Sequence, residues 1–184
     1  MPPITSALGV DTRQAVDARS QAVIQAIEHI APTHVLWLPS STLKQVIDHV
    51  EERAKQGAYA SFPLTREEEG IGIAGGLILA GAKPLLVVQD NGIGNALTAL
   101  TTFAQAYHLP LVLIVSQRGG LNEYNSMIHT LTERVDDILS ASDLRWFKLD
   151  ERVATERWAT SIAGAWEHAY MTHRPVVVLC NLLY

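Results

Sequence analysis

The sequence predicts an α/β protein, a three-layer α/β/α sandwich around a six-stranded and mainly parallel sheet. Short apolar runs alternate along the chain with segments whose apolar residues have helical spacing. Several of these runs show no polar alternation, which is typical of parallel strands covered by helices on both faces. The chain has 184 residues, 48% of them hydrophobic, which is enough for one domain with a sizeable core.

The strands and helices follow from these patterns in chain order. We expect a loose arm at residues 1–11 and a single folded domain at residues 12–184. The expected strands are His34–Leu38, Ala58–Leu64, Pro84–Gln89, Pro110–Ser116, Arg145–Leu149 and Pro175–Cys180. The expected helices are Ala15–Ile30, Leu43–Gln56, a glycine-rich helix after Thr65, Asn95–His108, Ser126–Leu139 and Val153–Met171.

The composition argues against several classes of partner. The net charge of −5 and the absence of a basic run make nucleic acid an unexpected ligand. No apolar run is long enough to span a bilayer, and no signal peptide is visible. The single cysteine, Cys180, lies in an apolar strand pattern, as expected for a reducing compartment. We therefore expect a cytoplasmic protein without a membrane partner.

The segment after the second strand has an unusual helix pattern. Thr65 is placed to cap the helix, and Glu68 stands where it would complete a capping box. Acidic residues in a first turn also suit the helix dipole. Each interior glycine costs a helix about 1 kcal/mol relative to alanine, so close packing of a sheet, a second subunit or a flat ligand is expected. These glycines are Gly70, Gly72, Gly75 and Gly76.

The same glycines offer an alternative, because Gly70, Gly72 and Gly75 match the spacing of a dinucleotide-binding fingerprint. Two features argue against that interpretation. A pyrophosphate at this helix start would face three carboxylates, Glu67–Glu69. The glycines also lie within the helix pattern, not at the preceding turn where phosphate needs open backbone N–H groups.

Four loops are expected to form a ligand site. Ligands of open α/β sheets gather beyond the carboxyl ends of the strands. The loops there are rich in polar residues or glycine, which favours a binding role. They are Pro39–Thr42, Leu64–Glu69, Gln89–Asn95 and Gln117–Asn122.

At these loops the chain resembles the pyrimidine-binding domain of thiamine-diphosphate enzymes, most of all the decarboxylases of sulfopyruvate and phosphonopyruvate. The resemblance spans nearly the whole chain after the arm and rests on four ordered motifs. These are Pro39-Ser40-Ser41, the segment from Glu67 to Lys83-Pro84, the turn Gln89–Asn95, and Ser116-Gln117-Arg118-Gly119. The sequence departs from the family pattern at Ser40, Leu77, Asp90, Asn91 and His129.

The resemblance implies thiamine diphosphate as cofactor, with Glu67 as the catalytic acid that bonds its pyrimidine ring. An ungapped match to Lys83-Pro84 selects Glu67, and a slip of one residue would select Glu68 instead. The implied cofactor-binding residues are Glu67, Gly92, Gly94 and Asn95. The implied substrate-binding residues are Ser41, Asn91 and Arg118. Outside the resemblance, capping or turn roles explain Ser41, Asn91 and Asn95 equally well.

The resemblance also implies a partner. In the family a second domain with a G-D-G motif and a later asparagine holds the diphosphate and Mg²⁺, and this chain has no such motif. We therefore expect the alpha subunit of a hetero-oligomer, active only with a diphosphate-binding beta subunit, that converts 3-sulfopyruvate to sulfoacetaldehyde and CO2. A phosphonopyruvate decarboxylase subunit, a nucleotide-binding module and a non-catalytic relative are the alternatives.

Overall fold

The computed structural model describes residues 12–120, 123 and 125–183; the arm expected at residues 1–11 lies outside them. The strands are β1 His34–Trp37, β2 Ala60–Pro63, β3 Pro84–Gln89, β4 Val112–Ser116, β5 Arg145–Leu149 and β6 Val176–Cys180. The helices are α1 Thr12–Ile30, α2 Lys44–Lys55, α3 Glu67–Leu79, α4 Gly92–Ala99, α5 His129–Thr132, α6 Val135–Ala141 and α7 Trp158–Thr172. No helix in the described part of the chain is both long and apolar enough to cross a membrane.

The strands form one sheet in the order β2-β1-β3-β4-β6-β5, and every neighbouring pair is parallel. This confirms the predicted fold class. Because β1 lies between β2 and β3, the chain reverses direction across the sheet there. Such a switch point opens a crevice at the carboxyl ends of the strands. The loops after these three strands are therefore the expected place for a ligand.

Two apolar layers cover the sheet, one on each face. Leu85 and Val87 of β3 pack with α1, α2 and α7, whereas Leu86 and Val88 pack with α3, α4 and α6. Trp158 at the start of α7 is fully buried in the first layer. Burying a side chain such as leucine or valine contributes about 1.5–3 kcal/mol, so these continuous strands supply most of the stabilisation.

The glycines of α3 have different neighbours. A β-carbon at Gly70 would meet Leu64 and Leu86, and one at Gly75 would collide with Phe103. These two glycines let α3 pack closely against its own domain. Gly72 and Gly76 are exposed, with open space where a side chain would be. Gly75 therefore does not belong to a surface for another subunit, and the three dinucleotide-spaced glycines lie inside a helix, not at a phosphate-binding turn.

Two predicted helices differ from the structure in their internal organisation, and a third, expected from Val153, begins at Trp158 after a short 3₁₀ turn. The helix expected at Ser126–Leu139 consists of α5 and α6, separated at Arg134, whose φ of −111° and ψ of 1° are not helical. A β-carbon at Gly119 would collide with Thr132 of α5, so the loop after β4 anchors the first helix while Val135 and Leu139 of α6 pack on the sheet. The apolar residues of α5 and α6 follow one continuous helical spacing in the sequence, so the break between the two helices could not be predicted from it.

The second error concerns the helix expected at Asn95–His108. It begins at Gly92, and its second half, Leu100–Gln105, is a π-helix. The turn predicted from its glycines is therefore shorter than expected, and Gly92 and Gly94 lie in the first turn of α4. Glycine is a poor helix former, so its presence here requires a local reason.

Candidate active site

A chain of hydroxyl contacts ties together three of the predicted loops. Ser40 Oγ, after β1, donates to Gln89 Oε1 at the end of β3 over 3.0 Å. Ser40 Oγ also lies 2.9 Å from Thr42 Oγ1, which lies 2.6 Å from Ser116 Oγ at the end of β4. This network was not predicted from the sequence. Its only signal was that small hydroxyl residues recur where adjacent strands end.

The three carboxylates at the start of α3 make three different contacts. Glu69 Oε2 accepts the backbone N–H of Thr65 at 3.0 Å and its hydroxyl at 2.6 Å, and these bonds lower the pKa of Glu69. Glu68 pairs with the Nε of Arg66 at 2.6 Å, and that bond lowers its pKa. The predicted capping box is therefore wrong: the N-cap position is Arg66, and Glu69, not Glu68, bonds back to Thr65.

Glu67 turns away from its own loop toward the start of α4. The side-chain amide of Asn95 donates to Glu67 Oε2 at 2.9 Å. The side chain of Glu67 lies against the backbone of Gly92, where any β-carbon would overlap its carboxyl group. This contact is the local reason for glycine in the first turn of α4. The structure thus brings together Glu67, Gly92 and Asn95 from two loops 25 or more residues apart in sequence.

The other predicted site residues lie around this cluster. Gly94 is exposed, and a β-carbon there would lie 3.3 Å from Leu131 Cδ1, which places α5 beside the start of α4. Asn91 immediately precedes α4 and is exposed. Ser41 begins a short 3₁₀ helix after β1 and is also exposed. All of them lie at the carboxyl edge of the sheet, on the loops predicted to carry them.

Arg118 is buried and paired within the chain. Its Nε and Nη2 donate to the two carboxylate oxygens of Glu123 at 2.9 and 2.6 Å. Only 5% of the Arg118 side chain and none of the Glu123 side chain is exposed. The two guanidinium N–H groups that a sulfonate would bind are therefore already bound to a carboxylate. A substrate anion would have to replace or approach this pair.

A cavity of about 310 Å³ lies beside this loop, between the ends of β4, β5 and β6. Arg118, Lys148 and Asp136 are among its lining residues. Lys148 Nζ is 2.7 Å from Asp136 Oδ2, so both cationic side chains that line the cavity are engaged by acids. The cavity is polar, and its lining carries more acidic than basic residues.

Asp90, a departure from the family pattern in the turn after β3, is a buried acid that was not predicted to belong to the site. Its carboxylate accepts the backbone N–H of Arg118 at 2.6 Å. Burial raises the pKa of Asp90 to about 6, against the lowering effect of bonds from the backbone of Arg118 and Asn91. The available signal was the position of an acid directly after a fully apolar strand.

Within the described ranges, no cluster of three or more His, Cys, Asp or Glu side chains is arranged to hold a metal ion.

The fold has a clear counterpart among solved structures. A 2-oxoglutarate:ferredoxin oxidoreductase from Magnetococcus marinus superposes with a TM-score of 0.67 at 15% identity. The match covers 90% of this chain and 29% of the oxidoreductase chain, so this protein spans less than a third of that enzyme. At this identity the likeness establishes the fold alone.

The sequence comparisons define the family. The model of the thiamine pyrophosphate enzyme N-terminal TPP binding domain matches residues 18–142. The chain belongs to this family. The sulfopyruvate decarboxylase subunit alpha of Methanococcus maripaludis is 30% identical, with 90% of this chain and 95% of that subunit aligned. The corresponding subunit of Methanocaldococcus jannaschii is 27% identical, with 90% and 94% aligned. A phosphonopyruvate decarboxylase of Streptomyces viridochromogenes is 26% identical, with 83% and 37% aligned.

Proposed function

We propose that this chain is the alpha subunit of a heteromeric thiamine-diphosphate-dependent decarboxylase that converts 3-sulfopyruvate to sulfoacetaldehyde and CO2. The observation that carries the proposal is the contact of Glu67 with Gly92 and Asn95 at the switch point of the sheet. The near full-length alignment with subunits named for this reaction supports the substrate. A phosphonopyruvate decarboxylase subunit is the alternative within the same chemistry.

Glu67 is the proposed catalytic acid, and its surroundings fit an aminopyrimidine ring. The Asn95 amide holds Oε2 and so fixes the plane of the carboxyl group. The contact with Gly92 leaves no room for rotation toward the α4 backbone. The carboxyl group, whose Oε1 also lies against Gly92, would exchange a proton with a ring nitrogen. The bound cofactor supplies the electron sink when CO2 leaves.

The other two glutamates fit this role less well. Glu69 is engaged by Thr65 and Glu68 by Arg66, and both contacts favour the ionised carboxylate. Both glutamates are held by residues of their own loop, whereas Glu67 reaches across to the first turn of α4, which carries the other proposed cofactor contacts. This distribution of contacts supports Glu67 over Glu68, the choice that the sequence match left open by one residue.

Gly92, Gly94 and Asn95 are the proposed cofactor contacts, and Ser41, Asn91 and Arg118 the proposed substrate contacts. Exposed Ser41 and Asn91 lie on the loops after β1 and β3, on either side of the switch point. Arg118 belongs to the loop after β4 and is held by Glu123. The anionic end of the substrate would compete with that carboxylate for the guanidinium group.

A diphosphate-binding beta subunit would complete the site and hold Mg²⁺. Two observations support this division. The chain carries no G-D-G motif. The relatives that align over their full length are named as alpha subunits, whereas the chain spans only 37% of the phosphonopyruvate decarboxylase of S. viridochromogenes.

Reconstitution tests the proposal. The chain is mixed with a candidate partner that carries the G-D-G motif, in the presence of thiamine diphosphate and Mg²⁺, and the release of sulfoacetaldehyde is measured. We expect turnover only with both proteins and the cofactor, and a slower reaction with pyruvate. Turnover by this chain alone would contradict the subunit role. A complex that forms but decarboxylates neither sulfopyruvate nor phosphonopyruvate would identify a non-catalytic relative.

A further inference from the structure

Two buried side-chain oxygens just beyond the carboxyl ends of β3 and β4 accept no hydrogen bond. They are Oδ1 of Asp90, a fully buried residue, and Oε1 of Gln117, a residue that is 8% exposed. Buried polar atoms in folded proteins nearly always have a partner, so each such atom requires an explanation. Here the two atoms belong to the residues that directly follow the adjacent strands β3 and β4.

The sheet register places these side chains side by side. Gln89 of β3 is aligned with Ser116 of β4, and the Asp90 N–H donates to the Ser116 carbonyl at 3.1 Å, which carries the pairing past the strand ends. Asp90 follows Val88 by two positions, and Gln117 follows Val115 by two. Both valines belong to the core layer on the α4 and α6 face. Strand alternation therefore directs both side chains to that face, on strands about 4.8 Å apart.

The remaining atoms of both side chains are already committed. Asp90 Oδ2 accepts the Arg118 N–H at 2.6 Å. Gln117 Nε2 donates to Asp136 Oδ1 at 3.2 Å, which fixes the orientation of the amide because only its nitrogen can donate. Oε1 is therefore an acceptor without a donor, and Oδ1 of an ionised Asp90 is another. One proton between them would satisfy both.

We propose that Asp90 carries a proton on Oδ1 and donates it to Gln117 Oε1. Asp90 is then a positioning residue that links the turn beneath Glu67 to the loop after β4. On one side its backbone leads into Asn91 and Gly92, on which Glu67 rests. On the other side its carboxyl group holds the Arg118 backbone. The catalytic consequence rests on the proposed function, whereas the protonated pair itself does not.

The charges around Asp90 have both signs, and the attraction of Arg118, which lowers the pKa of Asp90, exceeds the repulsion of Glu123. Glu123 on the β4 loop, Asp136 behind Gln117 on α6, and Glu67 over Gly92 are acidic, whereas Arg118 is the basic neighbour and is paired with Glu123. Burial raises the pKa of Asp90 to about 6. A hydrogen bond made only by the neutral form raises the pKa further, so the titration midpoint is expected above this value.

The stability of the isolated chain tests the protonation. Asp90→Asn mimics the protonated acid, because its oxygen accepts from Arg118 and its nitrogen donates permanently to Gln117. The raised pKa means that the contribution of Asp90 to stability is full below the ordinary pKa of 3.8 and is lost as pH rises through its folded pKa. In denaturant unfolding the two proteins, wild type and Asp90→Asn, should therefore be closest in stability below pH 3.8, and the advantage of Asp90→Asn should grow as pH rises from there. By pH 8 Asp90→Asn should be more stable than wild type. Its equilibrium constant for unfolding should be lower by about tenfold for each unit by which the folded pKa of Asp90 exceeds the ordinary value.

Asp150→Asn is the matched control, because Asp150 is also buried at a strand end but its bond from Arg152 lowers its pKa. Its stability difference from wild type should change in the opposite direction with pH. Parallel pH profiles for wild type and Asp90→Asn would overturn the proposal, since Asp90 would then not titrate in this range.

Infrared spectroscopy tests the partner of the proton. The C=O band of a protonated carboxyl should be present in the wild-type chain at pH 5, absent from Asp90→Asn, and shifted to higher frequency in Gln117→Leu, where the acceptor is lost. A band that is unchanged in Gln117→Leu would show that the proton is not donated to Gln117. Neither measurement requires the partner subunit, so both remain decisive if the proposed function fails.

The positioning role is tested in the reconstituted complex through the pH profile of kcat. Asp90→Ala should lower kcat at every pH with little change in KM, whereas Asp90→Asn should restore the kcat and flatten its pH dependence. An Asp90→Ala complex with wild-type kcat would overturn the positioning role. A pH dependence retained in Asp90→Asn would do the same.

Discussion

The side chain of Glu67 lies on the backbone of Gly92, at the position that any β-carbon of residue 92 would occupy. The contact joins the first turn of α3 to the first turn of α4. It explains a glycine in a helix by the needs of a carboxylate on another helix. The position of the proposed acid therefore depends on Gly92, a residue that has no side chain.

We expect Gly92→Ala to impair the proposed catalysis without loss of the fold. Gly92 does not have a positive φ, and alanine is the better helix former by about 1 kcal/mol, so the helix itself should tolerate the change. The new methyl group should displace the Glu67 carboxyl and lower kcat at least about tenfold, since small misplacements of catalytic groups are costly. Steady-state kinetics of the reconstituted complex measures this loss.

Gly72→Ala is the control for this substitution, because Gly72 lies on the exposed side of α3 with open space around it. We expect it to raise stability slightly and to leave kcat unchanged. Equal kcat values for Gly92→Ala and wild type would show that the position of Glu67 over Gly92 is not needed for turnover.

The sequence predicted the fold and the loops of the site because both depend on local patterns. Uninterrupted apolar strands specify a covered parallel sheet, and in such a sheet the loops after the strands share one edge. This was enough to place Glu67, Gly92 and Asn95 near one another. The contacts of their side chains, and the roles proposed for them, could not be read from those patterns.

What the sequence could not provide was the pairing between side chains from different loops. Three adjacent glutamates look equivalent in sequence, yet Glu69 binds Thr65 and Glu67 binds Asn95. Arg118 looked like a residue for binding an external anion, but Glu123 fills its guanidinium fork. Such pairings depend on which loops approach in three dimensions and leave no periodic signal.

Glu67→Gln should lower kcat of the reconstituted complex by a factor on the order of a hundred or more, the usual scale for losing general acid–base help. Glutamine keeps the size of the side chain but cannot exchange the proton. The fold should survive, because the apolar layers beneath α3 do not involve this residue. Thermal unfolding and steady-state kinetics distinguish the two effects.

The neighbouring glutamates are the controls. Glu69→Gln should lower the melting temperature, because it weakens the two bonds from Thr65, and should leave kcat near the wild-type value. Glu68→Gln should affect neither strongly, because its partner Arg66 is exposed. If Glu68→Gln were inactive and Glu67→Gln active, the catalytic acid would be Glu68 and the assignment to Glu67 would be wrong by one residue.

The Arg118–Glu123 pair makes a prediction about substrate charge. Glu123→Gln keeps the shape of the buried partner but removes its charge, so an anionic substrate should compete more easily for Arg118. We expect a lower KM for sulfopyruvate and little change for pyruvate. Arg118→Ala should harm sulfopyruvate more than pyruvate, by about 1.5–3 kcal/mol in transition-state stabilisation, the scale of a hydrogen bond to a charged group.

Stability measurements complete this test. Loss of Arg118 removes the charged partner of a buried carboxylate, which typically costs about 3–5 kcal/mol, so unfolding must be measured together with the kinetics. If Arg118→Ala and Glu123→Gln change the kinetics of both substrates to the same extent, the pair is structural and the substrate anion is bound elsewhere.

The outer face of α3 is the surface where we expect the partner subunit. Gly76 is exposed with open space around it, whereas Gly75 one position along faces Phe103 inside the domain. Gly76→Phe should therefore leave the isolated chain folded, with a normal α/β circular dichroism spectrum, but should prevent assembly with the beta subunit in light scattering. Gly75→Phe should instead unfold the chain, because its ring would occupy the space of Phe103. Full assembly and activity of the Gly76→Phe chain would show that this face is not part of the interface. The exposed glycines of α3 would then have no role in completing the site.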